Sequence, residues 1–135
     1  MRRLKPGRIG SAIQRARERH RAILEETYDG SCNVYGLIHE KNPKTKVMES
    51  REILLFSNLP CHLSYSGEAA ATSSPMLNTV QQGIQLFLAP ETHIEAGSRI
   101  EVTQNQRTEN YVQSGKAAVY TSHQEILLEL WKGYA

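Results

Sequence analysis

A chain of 135 residues, 39% of them hydrophobic and 22% charged, has room for one small core and not for two. The longest apolar runs, residues 53–56 and 84–89, are too short to span a bilayer as helices, and no apolar stretch follows the charged start Met1-Arg2-Arg3-Leu4-Lys5, so neither a membrane protein nor a secretory signal is expected. The net charge of +2 conceals a division: residues 1–21 carry eight basic side chains against one acid, Glu18, and the remainder carries eight bases against thirteen acids.

A basic arm on a mildly acidic body implies a negative partner, either nucleic acid or an acidic protein surface. The arm, residues 1–30, reads as a helix. Ile9, Ala12, Ile13, Ala16, His20, Ile23 and Leu24 fall on one stripe of a 3.6-residue period. Pro6-Gly7 marks its approach, Ser11 is a candidate cap, and Asp29-Gly30 ends it. The stripe is thin, so the helix is marginal alone in water. Arg15 and Arg19, and Arg17 and Arg21, sit four apart with like charge, at a cost of about 0.2–0.5 kcal/mol per pair. Glu18 can serve Arg15 or Arg21, and Glu25 can serve Arg21. The other arginines, Arg8 among them, lack local partners. They form either a solvated face or a row of planar forks for carboxylates or phosphates.

From residue 31 the period changes to two. Cys32, Val34 and Ile38 alternate with Asn33, Tyr35 and Leu37; residues 47–56 and, after an Asn58 break, 59–65 are further strands. Residues 79–89 place Val80, Gln82, Ile84, Leu86 and Leu88 on one face. Residues 99–103, 109–113, 117–120 and 125–131 complete the set. Short alternating runs with no helix-length crossovers predict a mainly β fold: a small antiparallel β-barrel over residues 31–135 with the helix outside it. Lys41-Asn42-Pro43-Lys44-Thr45-Lys46 is a hairpin tip. Residues 66–78 form a long flexible loop, whose small, nearly neutral run Gly67-Glu68-Ala69-Ala70-Ala71-Thr72-Ser73-Ser74-Pro75 allows close approach to another chain or to a symmetry axis.

Signals for chemistry are absent. His20, His39, His62, His93 and His123 have no metal-ligand spacing, and the adjacent Cys61 and His62 face opposite ways in a strand. Only two cysteines are present, so neither a disulfide framework nor a thiolate zinc site is expected. Ser122 and His123 are chain neighbours, an unusual way for a nucleophile to meet its base, and no Gly-x-Ser-x-Gly elbow or glycine-rich phosphate loop occurs. The aromatics are dispersed over a net acidic region, which does not make a base-stacking platform. No cofactor, no metal and no catalysis are expected.

One stretch carries a family signature. It runs from Pro90-Glu91-Thr92-His93-Ile94-Glu95-Ala96-Gly97-Ser98-Arg99-Ile100-Glu101-Val102-Thr103, through Tyr111 and Ser114-Gly115-Lys116, to Val119-Tyr120-Thr121-Ser122-His123-Gln124-Glu125-Ile126-Leu127-Leu128-Glu129-Leu130. Cys32-Asn33-Val34-Tyr35 and Leu59-Pro60-Cys61-His62-Leu63-Ser64-Tyr65 fit the same scheme. The chain resembles, over residues 31–131, the head-closure (stopper, or head-completion) proteins of long-tailed phages and related prophage elements of Gram-positive bacteria. Asn105-Gln106-Arg107 departs from the family's glycine-bearing hairpin tip, which puts that turn in doubt.

The resemblance implies a structural virion protein of the neck, assembled in the host bacterial cytoplasm. It implies a homo-oligomeric ring, often of twelve copies and in some phages six, below the portal and adaptor proteins. Such a ring closes the channel over packaged double-stranded DNA and docks the tail or tail-terminator protein. By position, residues 67–75 match a loop that reaches into the channel in some members. His123, Gln124 and Glu125 would sit between two strands, where they cap backbone groups at a buried corner or, alternatively, touch a neighbouring subunit. The basic helix is the poorest match to the family; Arg8, Arg15, Arg17, Arg19 and Arg21 would meet the adaptor or face DNA. Two other functions remain open: a nucleic-acid-binding module that uses the basic helix, and a ring-forming tail terminator built on a similar small barrel.

Overall fold

The basic segment forms one helix, α1 (Gly7–Glu25), in a computed structural model that describes residues 7–66 and 83–134. The helix starts before Ser11, which lies inside it and does not cap it. It ends before Asp29-Gly30, because Thr27 folds back: its hydroxyl donates to the Leu24 carbonyl at 2.5 Å, and the Thr27 and Tyr28 amides bond to Leu24 and Glu25. From residue 10 onward every α1 side chain is exposed except Arg21 and Leu24, which are half-buried.

Among the described residues seven strands follow: β1 (Gly30–Lys41), β2 (Met48–Ser66), β3 (Gly83–Leu88), β4 (Arg99–Gln104), β5 (Arg107–Gln113), β6 (Ala118–Val119) and β7 (Gln124–Leu130). All pairings are antiparallel. The spatial order is β3-β2-β1-β4-β5-β7, and β3 pairs again with β7, so six strands close on themselves; β6 is a short flap on β7. The fold is the mainly β, antiparallel closed sheet with an N-terminal helix that the sequence predicts. Residues 67–82, which hold the proposed channel loop and the start of the predicted strand 79–89, lie outside the described residues.

Period-two alternation builds the core. Cys32, Val34, Cys61, Leu63, Leu86, Leu88, Ile100, Val102, Tyr111, Ile126 and Leu128 point inward from six strands, and Ile94 packs against them from the connection between β3 and β4. Leu130 shares their face but is 55% exposed, because β7 has reached the rim. The predicted strand 117–120 shortens to the two residues of β6.

Asn58 does not break the second strand. β2 runs through it with Asn58 in the left-handed region at φ 53°, and the β1–β2 register slips at Cys32/Val34 and at Val34/Tyr35. These are β-bulges, which bend and twist a strand without ending it. Asn33 holds the first one, accepting the Asn58 amide at 2.9 Å and donating to Glu101 at 3.1 Å.

β1 begins at Gly30, opposite Cys61, which leaves the next part of β2 without that neighbour. The Gln104 side chain fills the gap. Its Oε1 accepts the Leu63 amide at 2.7 Å, and its Nε2 donates to the Leu63 carbonyl at 3.0 Å, so a side-chain amide stands in for a strand residue. Gly30 makes room for it: a Cβ there would lie 2.9 Å from Gln104 Oε1 and 3.1 Å from the Thr103 carbonyl. The Asn105-Gln106 tip is a two-residue hairpin turn with both residues at positive φ, 53° and 64°. That geometry favours Asn-Gly, so Gln106 carries strain.

Gln106→Gly should stabilise the chain by about 0.5–1 kcal/mol. Gln104→Leu, which leaves both Leu63 backbone groups unpaired, should destabilise it by about 1–3 kcal/mol. Urea unfolding measures both. A neutral Gln104→Leu would contradict the strand-substitute role.

Candidate functional site

Two surfaces hold the described residues singled out by the sequence, and a third feature was not foreseen from it. The first is α1. Arg8 lies in its first turn. Arg15, Arg17 and Arg19 are exposed, and among the described residues no acid pairs with them. Arg21 is different: it bonds Glu25 at 2.7 Å and clamps the Glu91 carboxylate with both terminal nitrogens, the second at 2.8 Å. The Arg21 guanidinium holds the Glu91 carboxyl below the usual carboxylate range. Arg21 is thus spent on anchoring the helix to the body and is not free for an outside partner. Among the described residues the apolar stripe finds little cover, with Ile13 48% and Ile23 65% exposed.

The second surface is the corner between β6 and β7. Gln124 is turned inward, 3% exposed, and its amide donates to the carbonyls of Ala89 at 2.7 Å and Thr92 at 2.5 Å. It caps backbone groups, and its side chain is not available to a neighbouring subunit. His123 and Glu125 are only partly covered. The Ser122 hydroxyl lies 2.9 Å from His123 Nδ1, and His123 Nε2 lies 3.1 Å from Glu125 Oε1. A neutral ring protonated at Nε2 satisfies both bonds.

The two chain neighbours therefore do meet, contrary to the sequence expectation. Their arrangement does not make a nucleophile, however. Ser122 is 9% exposed, and the Tyr120 ring stacks on His123 at 5.0 Å. The Tyr120 amide bonds back to the His123 carbonyl at 2.8 Å, closing a turn. The relay fixes that turn. On its other side His123 meets Phe87 at a tilt, and Phe87 in turn meets His62, whose Nδ1 is bonded to Asp29 at 2.8 Å.

The third feature is a polar cluster that sequence reasoning missed, because its members come from five separate segments. Arg99 forks onto Glu52 at 3.0 and 2.7 Å, donates to Asn110 at 2.6 Å, and lies 4.1 Å from the centroid of the Tyr35 ring. The Tyr134 hydroxyl donates to Glu52 at 2.5 Å, and Trp131 meets Tyr134 edge to face. Arg99 and then Tyr134 hold the Glu52 carboxyl below the carboxylate range; burial and then Glu52 push the Tyr134 hydroxyl up to about 12. The cluster ties the base of the β1–β2 hairpin to the body.

An open cleft at one rim of the closed sheet, bordered by Tyr65, Gln104, Arg107, Glu109 and Tyr111, holds no nucleophile paired with a base. Among the described residues, no three His, Cys, Asp or Glu side chains converge as a metal site, and no helix is long and apolar enough to cross a membrane. Cys32 and Cys61 are free thiols inside the core, where Cys32 and burial push the Cys61 thiol far up. Their chemistry is that of small apolar side chains.

No family model matches the chain, and no curated protein matches it. Among solved structures, the phage-like element PBSX protein xkdH from Bacillus subtilis is similar, with a TM-score of 0.41 and 9% identity. The match covers 74% of this chain and 91% of that one. A likeness at that level carries no argument about what this chain does.

Glu52 has a lowered folded pKa, so its contribution is complete above the ordinary value of 4.5 and is lost as pH falls through the lowered one. Glu52→Gln should therefore flatten the loss of stability with acid below about pH 4.5, measured by thermal melts across pH. An unchanged slope would contradict the role given to Arg99.

Proposed function

We propose that the chain is a structural subunit of a phage neck: a ring-forming head-closure protein that turns over no substrate. The observation that carries this reading is the signature over residues 90–130, which supplies β4, β5, β6 and β7, including the strand that closes the sheet. One further feature supports it. Among the described residues, exposed apolar side chains sit on the helix, the β1–β2 hairpin and the β6–β7 corner: Ile13, Ile23, Met48, Leu54 and Tyr120. Scattered singly they need no explanation, but carried on projecting elements they suit contacts with other subunits.

On this reading copies sit below the portal and adaptor and retain the packaged DNA, with the tail or its terminator docked on the far side. Residues 67–75 are the channel closure. Arg15, Arg17 and Arg19 meet carboxylates of the adaptor ring. The second reading, a nucleic-acid module, draws on those same three unpaired guanidinium groups.

Deleting residues 67–75 in the phage should let DNA leak from filled heads while rings still attach; retained DNA would contradict the closure role. Reversing Arg15 and Arg19 to glutamate should weaken attachment to the adaptor at least tenfold, about 1.4 kcal/mol. Unchanged attachment, together with a steep salt dependence of DNA binding by the isolated chain, would favour the nucleic-acid reading.

A further inference from the structure

The hairpin of β1 and β2 projects beyond the closed sheet. β1 bonds to β4 only through residues 31–35, and β2 bonds to β3 only through residues 61–66. Past those points, residues 36–41 and 48–53 pair only with each other among the described residues. The result is a two-stranded ribbon with a free edge on each side.

The ribbon is rigid at both ends. At its tip the Asn42 amide donates to the Val47 carbonyl at 2.9 Å, the Asn42 carbonyl accepts from Lys46 at 2.7 Å, and the Asn42 side chain accepts from Lys44 at 2.9 Å. At its base the Arg99 fork holds Glu52, and a bulge seats Leu55 over Gly36, where a Cβ would lie 2.8 Å from Leu55 Cδ1.

Alternation decides which backbone groups the edges offer. In an antiparallel pair, successive residues aim their N–H and C=O at the partner strand and then away from it. The Asn42 amide is aimed at Val47, so the next pair, Lys41 and Met48, is aimed outward. The pairs His39 with Ser50 and Leu37 with Glu52 follow in the same phase. One edge thus offers Leu37, His39 and Lys41; the other offers Met48, Ser50 and Glu52. Unpaired edges of this kind are templates for another strand.

We infer that this ribbon joins copies of the chain: the free β1 edge of one copy pairs antiparallel with the free β2 edge of the next. The inference rests on the ring reading and names its contact. Ribbons set side by side in one orientation keep the up-down alternation, because β1 and β2 already run antiparallel. Each copy uses two different edges, so the contact is head to tail, which gives a ring when the rotation between copies closes and a filament when it does not. The two edges have equal length, so a copy of the ribbon satisfies both at once. Charges are mixed, Glu40, Glu49 and Glu52 against Lys41, Lys44, Lys46 and Arg51, so neighbouring ribbons meet without a field of one sign.

Proline at position 50 removes an outward N–H while leaving the ribbon's own ladder intact, since proline is tolerated on an edge. Ser50→Ala loses the same hydroxyl but keeps the N–H. His39→Pro blocks the other edge. The full chain and these variants are compared by native mass spectrometry and sedimentation, with thermal melts to confirm folding. Wild type and Ser50→Ala should assemble, and each proline variant should stay monomeric. A mixture of the two proline variants should give dimers and nothing larger, because each supplies one intact edge. Both proline variants assembling like wild type would overturn the inference and leave the ring reading standing. A wild-type chain that is monomeric at every concentration and on filled heads would overturn the ring reading, and the inference with it.

Discussion

Strand β3 bonds on both of its edges, to β2 through residues 61–66 and to β7 through residues 124–128, and this double pairing makes a small core sufficient. An open sheet of the same strands would leave Leu86 and Leu88 on a wall with one side missing. In the closed sheet they are 0% and 1% exposed, in one core cluster with Ile100, Val102 and Ile126. Closure also removes most unpaired edges, the standing liability of a β protein. Where it falls short, beside the start of β1, the amide of Gln104 completes it.

A body that closes on itself leaves its appendages without internal work. The helix touches the body chiefly through Arg21 and Leu24, and a 19-residue helix with so thin a stripe gains little from water alone. The β1–β2 ribbon is held at its base by Arg99 and Tyr134 on Glu52, and beyond that its strands pair only with each other among the described residues. On the proposed reading, both elements are the parts that meet neighbouring subunits. The relay of Ser122, His123 and Glu125 has the opposite character: side chains that look reactive are consumed in fixing a turn.

Much of this was legible in the sequence. The change from a 3.6-residue to a two-residue period located the helix and most strands, because apolar side chains must share a face to be buried. Ile100, Val102, Ile126 and Leu128 declared themselves in this way. Asn58 misled, since a polar residue that tolerates positive φ marks a bulge as readily as a break. Ser11 misled because a capping side chain has no effect once the helix starts earlier. Gln104, Arg99 and Tyr134 gave no signal. Their partners lie 41, 47 and 82 residues away, and only the closed sheet brings them together. Gln124 was read both as a cap and as a contact; its two carbonyl bonds decide for the cap.

The central claim is that this chain acts by completing a head and not by chemistry on a substrate. Filled heads prepared from a phage lacking the chain, then supplied with the purified protein, test it most directly. The account predicts that such heads lose DNA and fail to join tails, and that added protein restores retention and yields joined particles in electron micrographs. Heads that keep their DNA and join tails without the protein would contradict it.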